Sequence, residues 1–390
     1  MAEQTDTHLS PQPNGKFTIN FFETVKDGKD GENIFFSPVS IHLSLAMTML
    51  GALGNTAQQL KTALQLLEMD SGDLHEEFCK MLDVVRSARE GSSLHIANRH
   101  FVQNDYKLLK TFQDASQKFY KADAKNVDFA SNTEASRLEI NKWVGEETQN
   151  WITDLLPSGS LSSLTRLVLV NACYFKGDWK SKFNVQLTKP EVFHVSSTRK
   201  ENVLMMKQRG KFNLGFHAMH SFWFLELPYL NEDLSMFLVV PTEIEGLQKF
   251  EKNIDMDLLN QMEKQLIMEN SVFVCLPQFR IRMNVDLVKT LQKMGVTDLF
   301  SEKSCDLKGI CEDDLHVASA VHESFMLVDE EGTEAAAATA VVMNLRCAPR
   351  PPMEVKVDRP FIFYIKDKKS GQILFFGRYN KPMEHLAVCC

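Results

Sequence analysis

The sequence of 390 residues contains no Asn-x-Ser/Thr sequon and no apolar run long enough to cross a bilayer. Its start, MAEQTDTHLSPQPNGK, lacks a basic segment followed by an apolar one. The expectation is a protein that meets neither a membrane nor the glycosylation machinery. Cytoplasmic residence follows, with a nuclear or unconventionally exported fraction left open. The eight cysteines (Cys79, Cys173, Cys275, Cys305, Cys311, Cys347, Cys389 and Cys390) form no CxxC pair and no Cys/His grouping at zinc spacing. Free thiols are expected, with no disulfide framework and no metal. A concentrated basic face is also missing. With 51 acidic and 43 basic side chains the net charge is −8, which argues against nucleic acid as a partner. Lys107, Lys110, Lys118, Lys121 and Lys125 read as the solvated side of an amphipathic helix. No P-loop, GxSxG, HExxH or Gly-rich strand–helix turn occurs, so neither an enzyme nor a cofactor is expected.

What is present suits a large core: 44% of residues are hydrophobic and 24% charged. No internal repeat or low-complexity linker divides the chain, so a single domain over 1–390 is expected. The N-terminal third reads helical. Leu74, Phe78, Met81, Leu82 and Val85 form one apolar stripe. Ile140, Trp143, Val144, Thr148, Trp151, Ile152 and Leu155 form another, which Pro157 and Gly159 would stop. From about residue 166 the texture changes. Leu167–Tyr174 is almost continuously apolar, as in a strand buried on both faces. Ser235–Val240 and Val272–Leu276 read as further strands, and Phe361–Ile365 with QILFFG as a hairpin. Helices first and strands later imply a mixed α+β domain.

Residues 330–347 carry most of the functional information: EEGTEAAAATAVVMNLRC. An alanine run alone favours helix. Gly332 opens it at a permissive backbone position, however, and Thr339, Val341 and Val342 weaken the helical preference. Pro349, Pro351 and Pro352 favour extended chain beyond it. Read as a strand, the segment places Thr333, Ala335, Ala337, Thr339, Val341 and Met343 on one face, without a charge. Glu334, Ala336, Ala338, Ala340, Val342 and Asn344 fall on the other. The first face could enter a preformed sheet without stranding a buried ion.

This run, Glu330-Glu331-Gly332-Thr333-Glu334-Ala335-Ala336-Ala337-Ala338-Thr339, resembles the reactive-loop hinge of inhibitory serpins. Other blocks are similar to that family in its order: Asn33–Pro38 with Gly51–Thr56, Leu167–Trp179, Leu227-Pro228-Tyr229, and Asp358–Phe361 through Phe376-Gly377-Arg378. The resemblance covers nearly the whole chain and points to the ovalbumin-like intracellular clade. It implies a serpin fold, one α+β domain of about nine helices and three β-sheets. The reactive loop would span about 330–352, and residues 383–390 would be an extension foreign to the family. An Arg-Cys bait behind an Ala-rich hinge is similar to the cytoplasmic antiproteinase subgroup.

The implied function is inhibition of serine-type endopeptidases. Counting from Glu330 puts the reactive bond at Arg346–Cys347. Arg346 is the only basic residue between Glu330 and Cys347, and a guanidinium suits the pocket of a trypsin-like protease. The protease would be trapped as a covalent acyl complex while the cut loop enters the main sheet as a strand. A shift of register would make Leu345 or Met343 the bait. Ser37, Ser40, Asn171 and His322 match the family's shutter, a polar cluster beneath that sheet. Trp179 matches the breach, where the loop first enters. Gln278 stands where many family members carry a basic partner for Glu330, leaving hydrogen bonds or a neighbour such as Arg280 to hold that carboxylate. Cys347 beside a guanidinium is a candidate oxidisable thiol. A monomer is expected. The competing readings are a non-inhibitory serpin with a binding, storage or chaperone role, and a redox sensor centred on Cys347.

Overall fold

The structure, a computed structural model, describes residues 14–67, 74–87, 90–331 and 353–383. Among these lie nine α-helices: α1 Gly15–Lys26, α2 Pro38–Met49, α3 Gly54–Ala63, α4 Leu74–Arg86, α5 Lys110–Tyr120, α6 Phe129–Glu147, α7 Leu247–Glu251, α8 Met256–Lys264 and α9 Leu287–Lys293. The first strands in the chain are β1 Ile34–Phe36, β2 Ser92–Gln103, β3 Ala124–Val127, β4 Leu167–Gly177, β5 Lys189–His194, β6 Lys200–His217 and β7 Phe222–Pro228. They are followed by β8 Leu234–Pro241, β9 Ile267–Pro277, β10 Phe279–Asp286, β11 Ser319–Val328, β12 Met353–Lys356, β13 Phe361–Asp367 and β14 Ile373–Tyr379.

Local chemistry accounts for the helices that frame the site. Leu74, Phe78, Met81, Leu82 and Val85 are the buried residues of α4, so the expected stripe faces the core. Helix α2 is buried at all twelve positions. Its apolar residues surround the axis, which places it inside the protein. Pro38 fits the first turn, where its missing N–H has no partner to lose, and Ser37 caps the end by accepting from Ser40 N at 3.3 Å.

Three expectations change. Of the five lysines read as one helix face, only Lys110 and Lys118 lie on α5; Lys107 precedes it, Lys121 ends it in left-handed backbone and Lys125 lies on β3. Strand β2 lies within the N-terminal third that reads as helical. Its burial does not alternate, and His95, Asn98, Arg99 and His100 break up its apolar residues, so no strand period shows in the sequence. The second helical stripe is also cut short: α6 ends at Glu147, well before Pro157. Gln149 and Asn150 both adopt left-handed backbone, at φ 52° and 63°. Such a pair cannot continue a right-handed helix. Trp151, Ile152 and Leu155 therefore sit on a non-helical strap.

The strands form two hydrogen-bonded sheets. One has five strands in the order β10-β11-β4-β2-β3. The other has nine, along β1-β14-β13-β8-β7-β6-β9-β12 with β5 beside β6. The register of β6 against β9 slips between Gly210 and Phe212. β6 pairs with β9 on both sides of that irregularity, and with β5 before it and β7 after it, so among the described residues hydrogen bonding joins into one path what the resemblance counts as two sheets.

The five-stranded sheet separates two hydrophobic clusters. Side chains alternate along β4: Leu167, Leu169, Cys173 and Phe175 join the main core, while Val168, Val170, Ala172 and Tyr174 join a smaller cluster with α6. Both faces of β4 are thus covered, as its apolar run predicts. In β11 the same alternation sends Phe325 to the α6 face and Ala320, Met326 and Val328 to the core.

Candidate functional site

Strands β4 and β11 are parallel neighbours, paired from Ser319↔Val168 to Met326↔Phe175. Between these pairs His322 lies opposite Asn171. Both side chains point to the α2 face, where they meet the buried Ser37 and Ser40. Asn171 Nδ2 offers its hydrogens to Ser40 Oγ (2.7 Å), the Ser40 carbonyl (3.1 Å) and Asn98 Oδ1 on β2. The backbone N–H of Ser37 donates to His322 Nε2 at 3.1 Å. That bond leaves Nδ1 as the protonated ring nitrogen, and it donates to Asn171 Oδ1. Ser37 Oγ donates in turn to the Leu374 carbonyl at 2.7 Å, and Ser324 Oγ to the Phe35 carbonyl at 3.0 Å. The expected shutter residues are therefore brought together as one buried network joining β11, β4, β2, α2 and the other sheet. Asn98 and the Leu374 carbonyl belong to it although no local pattern marks them, and Ser324 adds a separate tie to β1.

Burial pushes the His322 imidazole down to about 3. The neutral ring has both nitrogens committed, and protonating Nε2 would break the bond from Ser37. Burial also lowers His100, to about 3, and His42, to about 4. For each, the folded protein binds fewer protons than the unfolded chain below the ordinary histidine value near 6.5. Their contribution to stability is therefore complete above pH 6.5 and lost progressively as pH falls toward 3. The expected result is a melting temperature that declines below pH 6.5, measured by scanning calorimetry across pH 4–8. His322→Gln should flatten part of that decline. An unchanged slope in the variant would show that His322 is not one of the groups responsible.

At one end of the seam Trp179 is 3% exposed and stacks on Tyr229, with centroids 4.6 Å apart and planes 10° apart. Its Nε1 donates to the Asp329 carbonyl at 2.9 Å, just beyond β11. The ring thus clamps the outgoing chain. The next residue, Glu330, is 7% exposed, and its carbonyl accepts from Phe183 N at 3.1 Å. Glu330 Oε2 accepts from Gln278 Nε2 at 3.0 Å. The carboxylate left without the family's usual basic partner is thus held by a neutral amide from the 278 position. Glu331 N donates to Asp329 Oδ1 at 3.1 Å, which closes a short turn.

Of the expected hinge, only Glu330 and Glu331 fall among the described residues. Gly332, Thr333, Glu334, Ala335, Ala336, Ala337, Ala338, Thr339, Arg346 and Cys347 lie outside them. On the far side the chain is described again from Met353, where β12 pairs parallel with β9 in the nine-stranded sheet. The five cysteines described are free, and burial pushes the Cys173 thiol beside Ser37 and Ser40 up to about 12. Among the described residues no helix is long and apolar enough to cross a membrane.

The profile of the family described as "Serpin (serine protease inhibitor)" matches residues 12–382. The chain is 39% identical over 374 residues to Serpin B6 of Pongo abelii, covering 95% of this chain and 99% of that one. It is 39% identical over 373 residues to the leukocyte elastase inhibitor of Xenopus tropicalis, covering 94% and 97%. Human antithrombin-III is also 39% identical, with 95% of this chain and 81% of that one aligned. Among solved structures, uncleaved ovalbumin superimposes with a TM-score of 0.89 at 29% identity, over 95% of this chain and 99% of that one. A parallel seam fastened by a buried Ser-Ser-Asn-His network, a tryptophan clamp and a glutamate at the start of an Ala-rich run agree with these likenesses: the chain belongs to the serpin family, among relatives of the ovalbumin-like clade.

Proposed function

We propose that this serpin inhibits trypsin-like serine proteases by suicide-substrate trapping. The protease attacks the bond after Arg346, forming an acyl-enzyme at the Arg346 carbonyl and releasing the amine of Cys347. The freed loop then enters the five-stranded sheet between β4 and β11 before water can deacylate the enzyme. The reading rests above all on the parallel pairing of β4 and β11 beside the hinge. A strand that turns back from the end of β11 runs antiparallel to it, and therefore antiparallel to β4 as well. One parallel ladder would be replaced by two antiparallel ones, which are the more stable per residue. Gly332 to Arg346, at ~3.3 Å per residue, can extend roughly 45–50 Å, enough to match β4.

Release starts at Glu330. Its bond to Gln278 couples a carboxylate to a neutral amide, a weaker hold than an ion pair of similar burial. The cytoplasm, with no cofactor and a monomeric inhibitor, is the setting that fits the five free thiols among the described residues.

The test is to mix the protein with trypsin and look for an SDS-stable complex at the summed mass. Digestion without a complex would overturn inhibition. Thr333→Arg should turn the inhibitor into a substrate, because it carries a charge on the face that enters the sheet. Near-complete cleavage with complex yield reduced about tenfold is expected. Undiminished complex from this variant would mean that the hinge does not insert as proposed.

A further inference from the structure

We propose that Trp151, Tyr174 and Phe325 form an aromatic clasp across the front of the β4–β11 seam, and that its release limits how fast a strand can enter there. The inference rests on the insertion reading above and adds to it a fastening on the opposite face from the shutter.

Tyr174 on β4 and Phe325 on β11 are direct cross-strand partners. Their rings are 5.8 Å apart with planes at 22°. Trp151 lies over both: its ring is 5.1 Å from Tyr174 and 5.2 Å from Phe325, at 16° to each. One indole thus bridges the two strands that would have to part. Adjacent strands are ~4.8 Å apart, and an inserted strand doubles that separation. An indole that spans the closed pair cannot stack on both rings of the open one.

The delivery of Trp151 to this position is specific. The left-handed pair Gln149 and Asn150 turns the chain sharply out of α6, with Asn150 N donating to the Gly145 carbonyl at 2.7 Å and Trp151 N to the Thr148 carbonyl at 3.0 Å. The strap then crosses to β10, where Asn284 Nδ2 donates to the Leu155 carbonyl at 3.2 Å. Asn141 ties it back to α6 by accepting from Leu156 N and donating to the Leu156 carbonyl, both at 2.9 Å.

These anchors do not depend on the indole. Ile152, Leu155 and Leu156 are at most 1% exposed, whereas Trp151 is 40% exposed. Trp151 therefore contributes little to holding the strap, and its main contacts are the two rings across the seam. Partial exposure also allows it to swing away without opening the core.

The test uses the full chain and a synthetic peptide copying residues 333–344, with incorporation followed by native gel and by the rise in melting temperature. Trp151→Ala should take up the peptide on the order of tenfold faster than wild type, since an aromatic pair is worth roughly a factor of two to twelve beyond its buried area. Trp151→Phe, which keeps a stackable ring, should stay near the wild-type rate. The emission of Trp151, obtained as wild type minus Trp151→Phe, should change as the peptide enters, and it decides the matter even if the alanine variant does not fold. Uptake at one rate in all three proteins, or a difference signal that does not move, overturns the clasp while leaving insertion intact. No uptake by any of them overturns the insertion reading, and the clasp with it.

Discussion

Arg346→Ala should abolish the SDS-stable complex with trypsin. A pocket built to pair with a guanidinium leaves its own carboxylate unpaired when that group is missing, and discrimination of this kind reaches about 10⁴-fold. The measurement is the second-order rate of trypsin inactivation for wild type, Arg346→Ala and Arg346→Lys. Lysine should retain part of the rate, because it keeps the charge and loses the planar fork. An alanine variant that still traps trypsin would move the bait to another residue. If that variant gains activity against proteases preferring apolar side chains, Leu345 or Met343 is serving in its place. The family match supports protease inhibition in general, whereas the proposed preference for a trypsin-like enzyme rests on this side chain alone.

Cleavage of the loop should raise the melting temperature by at least about 10 °C. Eight residue pairs join β4 to β11 in the closed sheet. An inserted strand would exchange that ladder for one on each side, a net gain on the order of eight hydrogen bonds at about 1 kcal/mol each. For a chain of 390 residues, 1 kcal/mol shifts the midpoint by roughly 1 °C. Burial of the apolar face of Thr333–Met343 adds to this. Calorimetry on the intact protein and on protein nicked by a protease that it does not trap would read the difference. Equal midpoints would mean that the cut loop stays outside the sheet. A gain of this size is what uptake of the loop into the sheet predicts, because cutting a chain otherwise lowers its stability.

Much of this architecture was legible in the residues. The apolar run around Asn171 predicts a strand buried on both faces, and a buried amide in such a run predicts a network that satisfies it. That network exists, although its members come from positions as distant as Asn98 and Leu374. Pairings of that range leave no mark on local periodicity. The end of α6 was not legible, because Trp151, Ile152 and Leu155 continue the helical spacing of apolar residues. Their burial is supplied by a strap instead, after two residues that leave the right-handed region. The absence of a basic residue at Gln278 was visible in the sequence. Its consequence, a direct amide–carboxylate bond to Glu330, depends on two elements 52 residues apart meeting in space.

The Asn171–His322 and Tyr174–Phe325 pairs lie three residues apart on the same two strands, one facing α2 and the other facing the strap. At ~3.3 Å per residue they are separated by roughly 10 Å along one continuous ladder. Spreading at one row loads the other, because packed interfaces tend to have discrete arrangements and do not deform continuously. Parting there should consequently be cooperative, with a sharp boundary between shut and open sheets and little occupancy of a half-unzipped form. A serpin with such a seam would respond to a trigger as a switch with a threshold, not as a spring that yields in proportion to load.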